Sequence, residues 1–252
     1  MVAKVISVIN QKGGVGKSTT ACALAVGLSN KGKKVLLIDS DAQGNTTYVL
    51  GVKRPLANLY NVMNGTSAKD AIEKVFEGLD IITSHSELAP ADKTFVQTGR
   101  EYILKKALTP ILNDYDYIVI DTPPGLGILS VNALTASYGV IIPVQADVMS
   151  IQGLMQLKDT IGVVREYINP NLKILGILRT RHNPRTNISK ETTEALNDIA
   201  QKLNTRLYES YIRESVAIRE AQKERKDIFS YAPGNNAVED YKAFIKEFEV
   251  KL

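Results

Sequence analysis

The chain has 252 residues, of which 44% are hydrophobic and 23% charged, with a formal net charge of +4; that length is enough to bury a full core in one α/β domain. No stretch approaches the roughly 18 apolar residues that a membrane-spanning helix needs, and the N-terminal apolar run is too short for a signal-peptide core. A single cysteine excludes an internal disulfide and a thiolate metal cluster within one chain, so a cytoplasmic location is expected.

Apolar, β-branched runs alternate with segments of helical length almost from end to end. Residues 5–9, 35–38, 79–83, 117–120, 140–144 and 174–178 are short, continuous and rich in Val and Ile, as strands buried on both faces of a parallel sheet are. Between and after them, residues 18–30, 99–113, 151–168, 189–203, 213–226 and 238–250 read as helices, the last capped by Asn235 and Asn236 behind Pro233-Gly234. This alternation predicts a doubly wound, mostly parallel α/β sheet with helices on both faces. No repeat or long linker interrupts it, so residues 1–252 are expected to form one domain.

Directly after the first predicted strand comes Asn10-Gln11-Lys12-Gly13-Gly14-Val15-Gly16-Lys17-Ser18-Thr19. Glycines let successive backbone N–H groups turn inward around phosphate oxygens, and the helix that follows adds the partial positive charge of its N-terminus. Lys17 is expected to reach the β- and γ-phosphates of a nucleotide, and the Ser18 hydroxyl to coordinate Mg²⁺. Gln11 stands where the ordinary loop G-x-x-x-x-G-K-[ST] has its first glycine, and an extra lysine, Lys12, follows it. Lys12 is either a solvated surface charge or a cation for negative charge developing on the transferred phosphoryl group.

Two acidic sites end later strands. Leu37-Ile38 runs into Asp39-Ser40-Asp41-Ala42-Gln43-Gly44-Asn45, and Val119-Ile120 into Asp121-Thr122-Pro123-Pro124-Gly125. Ligands of open α/β sheets bind beyond the carboxyl ends of the strands, so these residues should converge with the glycine loop. An Asp after an Ile-rich strand commonly stands behind Mg²⁺ through water. A lone Asp there is as readily a turn cap, but three in step with the loop fit a metal and phosphate site.

With these three motifs assembled, the chain resembles the ParA/Soj partition ATPases, the deviant Walker A class of P-loop proteins and relatives of MinD. The resemblance covers nearly the whole length and includes Arg185-Thr186-Asn187 and Glu220-Ala221. It implies ATP and Mg²⁺ as cofactors, with residues 11–19 (Gln11, Lys12, Gly13, Gly14, Val15, Gly16, Lys17, Ser18, Thr19) around the phosphates. Lys12 is then the signature lysine that crosses an ATP-sandwich homodimer. Asp41 orients the attacking water, Asp39 supports the metal and water network, and Asp121 is the Walker B acid behind the metal, with Ser18 as the direct ligand. Pro123, Pro124 and Gly125 begin a switch loop. Arg213-Glu214-Ser215 replaces the family's usual Pro-x-Asn beside the adenine, which puts Arg213 and Ser215 there, and Ala42 replaces a usual proline. The implied partners are a second copy of the chain, non-specific double-stranded DNA on the nucleoid, and a ParB-type centromere-binding protein that stimulates hydrolysis. Because the loop lies within the first twenty residues, no N-terminal operator-reading domain is expected.

Residues 173–226 carry twelve Lys/Arg against seven Asp/Glu. Arg179, Arg181, Arg185, Arg206, Arg213, Arg219, Lys223, Arg225 and Lys226 are the candidates for DNA phosphates, whose binding draws on counterion release. Glu220 and Glu224 among them also suit a solvated helix face with internal pairs. No aromatic residues interleave with the basic ones as a base-stacking surface would require. Cys22, among alanines, is expected to be a buried structural thiol. Phe244, Ile245 and Phe248 on the last helix suit packing on the domain better than a membrane surface, because Glu239, Asp240, Glu247 and Glu249 lower its positive charge. A MinD-like membrane-positioning switch and a metabolic P-loop enzyme are the alternatives to DNA segregation.

Overall fold

The computed structural model describes every residue except Met1, Arg54, Ala146 and Lys251. Among the described residues, β1 (Lys4–Val8), β2 (Val35–Asp39), β3 (Ile72–Phe76), β4 (Leu79–Ile82), β5 (Tyr117–Asp121), β6 (Gly139–Gln145), β7 (Lys173–Thr180) and β8 (Leu207–Tyr211) form one sheet. Its order is β3-β4-β2-β5-β1-β6-β7-β8. Only β3 runs antiparallel to its neighbour; the remaining pairings are parallel. The doubly wound α/β class expected from the alternation is the class observed.

Helices cover the sheet in chain order: α1 (Lys17–Ser29), α2 (Asn45–Val49), α3 (Leu59–Met63), α4 (Ala91–Thr94), α5 (Ile103–Leu108), α6 (Ile128–Ala136), α7 (Val148–Tyr167), α8 (Asn187–Lys202), α9 (Val216–Lys223), α10 (Ile228–Tyr231) and α11 (Asn236–Val250). On one face, Leu24 and Leu28 of α1 meet Ile6, Val8 and Leu37 below and Tyr241, Phe244 and Phe248 of α11 above. On the other, Leu36, Ile38, Ile118 and Ile120 meet Leu104 and Leu129, and farther along Ile142 and Val144 meet Leu154, Leu157 and Leu196. Each such side chain taken fully from water contributes about 1.5–3 kcal/mol before the entropy of ordering is counted. Cys22 is buried in the first of these clusters, where loss of hydration pushes its thiol pKa up and keeps it protonated. The apolar side of α11 lies in the core, with Phe244, Ile245 and Phe248 all buried.

Two expectations need correction. The helix expected over 99–113 is broken: Gly99 turns with φ of 76°, the α-helical part is Ile103–Leu108, and a 3₁₀ turn closes it at Thr109–Ile111. Pro110 has no N–H to extend an α-helix, which explains the stop. The helix expected over 213–226 begins only at Val216, because 207–211 form an edge strand and 212–215 cross the carboxyl end of the sheet. Asn235 does cap α11, accepting from the Ala237 N–H at 2.9 Å.

β1 lies between β5 and β6, so the chain leaves it towards one edge of the sheet and later returns towards the other. Ligands bind in the crevice above such a switch point. The glycine loop begins there.

Candidate nucleotide site

The loop after β1 is shaped by two glycines in the left-handed region, Gly14 (φ 75°) and Gly16 (φ 87°). L-residues with a Cβ rarely adopt that conformation. Gly16 is the N-cap of α1 and has no side chain to satisfy the helix's first N–H groups, which leaves them for an anion. Loop carbonyls are tied back instead: Asn10 Nδ2 anchors the entry on the Pro143 carbonyl at 2.7 Å. Gln145 Nε2 donates to the Gly14 carbonyl at 3.2 Å, and Thr180 Oγ1 to the Val15 carbonyl at 2.8 Å. With those oxygens engaged, the loop's N–H groups remain available to an anion.

Lys17 is only 6% exposed, and its ammonium donates to the Lys12 carbonyl at 3.0 Å. Burial lowers its pKa, partly offset by the negative charges of Asp121 and Asp41. A cation so held, poor in partners and lining a cavity of about 570 Å³, suits a polyphosphate. Lys12 behaves differently. Its ammonium reaches both carboxylate oxygens of Asp147 at 2.7 Å, outside that cavity, with both side chains about one-third exposed. Asp147 also caps α7, accepting from the Ser150 N–H at 2.9 Å and hydroxyl at 3.0 Å. Burial alone would raise its pKa, but the bonds from Lys12 and Ser150 outweigh this and lower it.

The three acids occupy adjoining strand ends. Asp39 and Asp121 face each other in the β2–β5 register, and neither is exposed at all. Asp39 accepts from the Thr47 N–H at 2.8 Å and hydroxyl at 2.7 Å on Oδ2, and from the Asp41 N–H at 3.3 Å on Oδ1. Asp121 accepts from the Thr46 hydroxyl at 2.6 Å on Oδ2, whereas its Oδ1 is buried without a hydrogen-bond partner. Burial pushes both carboxyl pKa values up, and the charge of Asp39 raises that of Asp121 further. Asp41 lies farther out and lines the cavity with Lys17 and Ser18. Among the described residues no group of three or more His, Cys, Asp or Glu could enclose a metal ion. A divalent ion therefore fits here as Mg²⁺ does beside phosphates, held by a hydroxyl, phosphate oxygens and water. The buried, unpartnered Oδ1 of Asp121, on a carboxyl that the Ser18 hydroxyl also influences, suits a water of that shell.

After β5, the Thr122 hydroxyl donates to the Val8 carbonyl at 2.8 Å, and the Gly125 N–H to the Gln11 carbonyl at 3.2 Å. The segment from Pro123 to Gly125 is thus bonded directly to the phosphate loop. Across the cavity, Arg213 and Ser215 stand in the wall, but their side chains face α11. The Arg213 guanidinium pairs with both oxygens of Asp240 at 2.9 and 2.7 Å, and the Ser215 hydroxyl is 3.1 Å from Asn235 Oδ1. What this segment offers a base is its backbone and the neighbouring Ile212 and Ile218. Thr19 receives a bond from Gln222 Nε2 at 3.1 Å, which ties α9 to the loop helix.

The basic candidates divide into two groups. Arg179 donates to the Tyr208 and Glu209 carbonyls at 3.0 and 2.9 Å, and Arg206 to the Leu175 carbonyl at 2.8 Å while lying over the Tyr208 ring. Both fasten the β7–β8 edge. Arg185, Arg219, Lys223, Arg225 and Lys226 are exposed. Arg219, Lys223 and Lys226, with Arg181, border the nucleotide cavity, and Arg225 stacks over Tyr48 with its guanidinium 4.4 Å from the ring centre. Thr46, Thr47 and Asp147 lie outside the motif residues legible in the sequence. The two threonines did leave a signal: they stand directly after the acidic strand end, where short hydroxyl side chains bond most readily to nearby groups.

A strand, a glycine loop holding a buried lysine, and buried carboxylates at the carboxyl end of a doubly wound sheet define a P-loop ATPase, and Lys12 makes its loop the deviant Walker A kind. The chain belongs to the ParA/Soj family of partition ATPases. A family model described as an AAA domain matches residues 3–174. The sporulation initiation inhibitor protein Soj of Bacillus subtilis is 39% identical, with 97% of each chain covered. The chromosome partitioning protein ParA of Myxococcus xanthus is 35% identical over 98% of this chain and 88% of its own. Among solved structures, cobyrinic acid a,c-diamide synthase of Mycobacterium smegmatis with bound ADP and magnesium is 31% identical with a TM-score of 0.80, covering 97% of this chain and 93% of its own.

Proposed function

We propose that the protein is an ATP-driven DNA-segregation switch whose output is binding rather than a chemical product. Lys17 and the N–H groups of residues 13–17 bind the phosphates of ATP. Ser18 and the Asp121 carboxylate serve Mg²⁺, which supplies charge neutralisation at the β- and γ-phosphates when bound. Asp41 holds the water that attacks the γ-phosphorus as the bond to the ADP oxygen breaks, giving ADP and phosphate. Asp39 holds the turn that carries Asp41, through the Asp41 N–H and Thr47.

The observation that carries the reading is the position of Lys12. Its ammonium stands at the mouth of the loop on Asp147 instead of in its own chain's phosphate cavity. An ammonium held there by a partly exposed pair can exchange Asp147 for the phosphates of a second copy placed face to face, so ATP would join two chains and hydrolysis would part them. The exposed cations around the cavity mouth, Arg181, Arg219, Lys223 and Lys226, with Arg185 and Arg225, give the dimer its affinity for the DNA backbone without sequence preference. Arg179 and Arg206 are left out because they hold backbone carbonyls. A ParB-type partner on DNA then accelerates turnover.

The likeness to the mycobacterial synthase favours one other reading, ATP-dependent activation of a small carboxylate. Turnover measured with duplex DNA plus a ParB-type protein, and separately with small carboxylic acids, distinguishes them. The switch requires stimulation by the first pair and none by the acids; the opposite pattern contradicts it.

A further inference from the structure

Helix α2 is only five residues long, yet two consecutive side chains in it hold the two buried carboxylates. The Thr46 hydroxyl donates to Asp121 Oδ2 at 2.6 Å, and the Thr47 hydroxyl to Asp39 Oδ2 at 2.7 Å. Thr46 is itself buried, at 1% exposure. The turn is pinned from the other side as well: the Ser84 N–H donates to the Thr47 hydroxyl at 3.0 Å, and the Ser84 hydroxyl donates to the Asp41 carbonyl. Before α2, Gly44 turns with φ of 62°, which brings the chain from Asp41 back over the strand ends.

A buried carboxylate has several acceptor positions and is costly to leave without donors. One donor on Oδ2 satisfies that oxygen and fixes the plane of the group. Oδ1 of Asp121 is then buried without a hydrogen-bond partner, on a carboxyl whose pKa the nearby Ser18 hydroxyl also lowers. Valine in place of Thr46 would fill the same volume with no hydrogen to donate, so the carboxylate could rotate about its side-chain bonds and divide its time between arrangements. Partners of this kind behind a metal's ligands orient them, and their removal commonly weakens metal binding by about 10–100-fold.

We propose that Thr46 is a positioning residue for Mg²⁺, orienting Asp121 so that its free oxygen meets the metal's water shell. It rests on the assignment of Asp121 to the metal made above, and the test separates the two. Binding of Mn²⁺, as a paramagnetic stand-in, to the full-length protein with ADP is measured by electron paramagnetic resonance for wild type, Thr46→Val, Thr46→Ser and Asp121→Asn. ADP affinity is measured alongside in EDTA. The expected result is a loss of about 10–100-fold in Mn²⁺ affinity for Thr46→Val, recovery in Thr46→Ser, and wild-type ADP affinity in EDTA for both. Unchanged Mn²⁺ affinity in Thr46→Val beside a loss in Asp121→Asn overturns the role of Thr46 alone. No loss in Asp121→Asn overturns the assignment of Asp121. A Thr46→Ser protein as impaired as Thr46→Val, or an equal fall in ADP affinity without metal, shows a packing role and overturns the proposal.

Discussion

Asp39 and Asp121 are register partners on neighbouring parallel strands, with both carboxyl groups buried at the end of the sheet. Burial raises both pKa values, with the charge of Asp41 adding at Asp39 and those of Asp39 and Asp41 adding at Asp121. A raised carboxyl pKa means that the folded, nucleotide-free protein keeps a proton that the unfolded chain has released. The associated stability is complete below the ordinary carboxylate range and is lost as pH rises through the raised values, at about 1.4 kcal/mol per proton per pH unit. The melting temperature of metal-free protein should therefore fall as pH climbs through that window, and Asp121→Asn should flatten the slope. Parallel slopes in the two proteins contradict the account. Since the metal requires charged carboxylates, Mg²⁺ should bind with proton release, read by calorimetry in buffers of different ionisation heat.

Lys17→Ala removes the only ammonium lining the cavity from within the phosphate loop. ATP affinity should fall by at least about 2 kcal/mol, the scale of a charged hydrogen bond made away from water. Isothermal titration measures it directly. Affinity near wild type would mean that the phosphates sit elsewhere.

Asp41→Ala keeps the cradle and the buried acid pair, so ATP should still bind. Turnover should drop about 10²–10⁴-fold, as loss of a group that handles the attacking water does, and the ATP-bound dimer should accumulate. Phosphate release and sedimentation, followed in one sample, read both effects. Normal turnover would remove Asp41 from that role.

Lys12→Ala should fold normally, because the bond to Asp147 is partly exposed and such pairs contribute about 0–1 kcal/mol. It should bind ATP as a monomer and fail to dimerise. Analytical ultracentrifugation with ATP decides it: a dimer as tight as wild type's would contradict the cross-subunit role.

How much of this was legible in the sequence depended on how local the determinants are. The glycine loop is fixed by ten contiguous residues, and the inner strands β1, β2 and β5 are rich in Val, Ile and Leu because both faces are covered. The motif residues Lys17, Ser18, Asp41 and Asp121 therefore stand close together in the fold. The edge strands did not show themselves. Ile72–Phe76 and Leu207–Tyr211 are largely half-buried and mix charged with apolar residues, so only pairing with a distant neighbour makes them strands. The Lys12–Asp147 pair spans 135 positions, and no spacing rule announces it. Arg179 and Arg206 looked like free cations because sequence shows charge but not the carbonyls that a folded edge presents to it.

DNA binding as a function of nucleotide tests the central claim most directly. Purified protein is titrated against non-specific duplex DNA with ATP, with ADP and without nucleotide, at two salt concentrations. The account predicts binding only with ATP, and an affinity that falls steeply as salt rises, because several phosphates are neutralised at once. Binding indifferent to nucleotide, or none in any state from a protein that binds ATP, contradicts it.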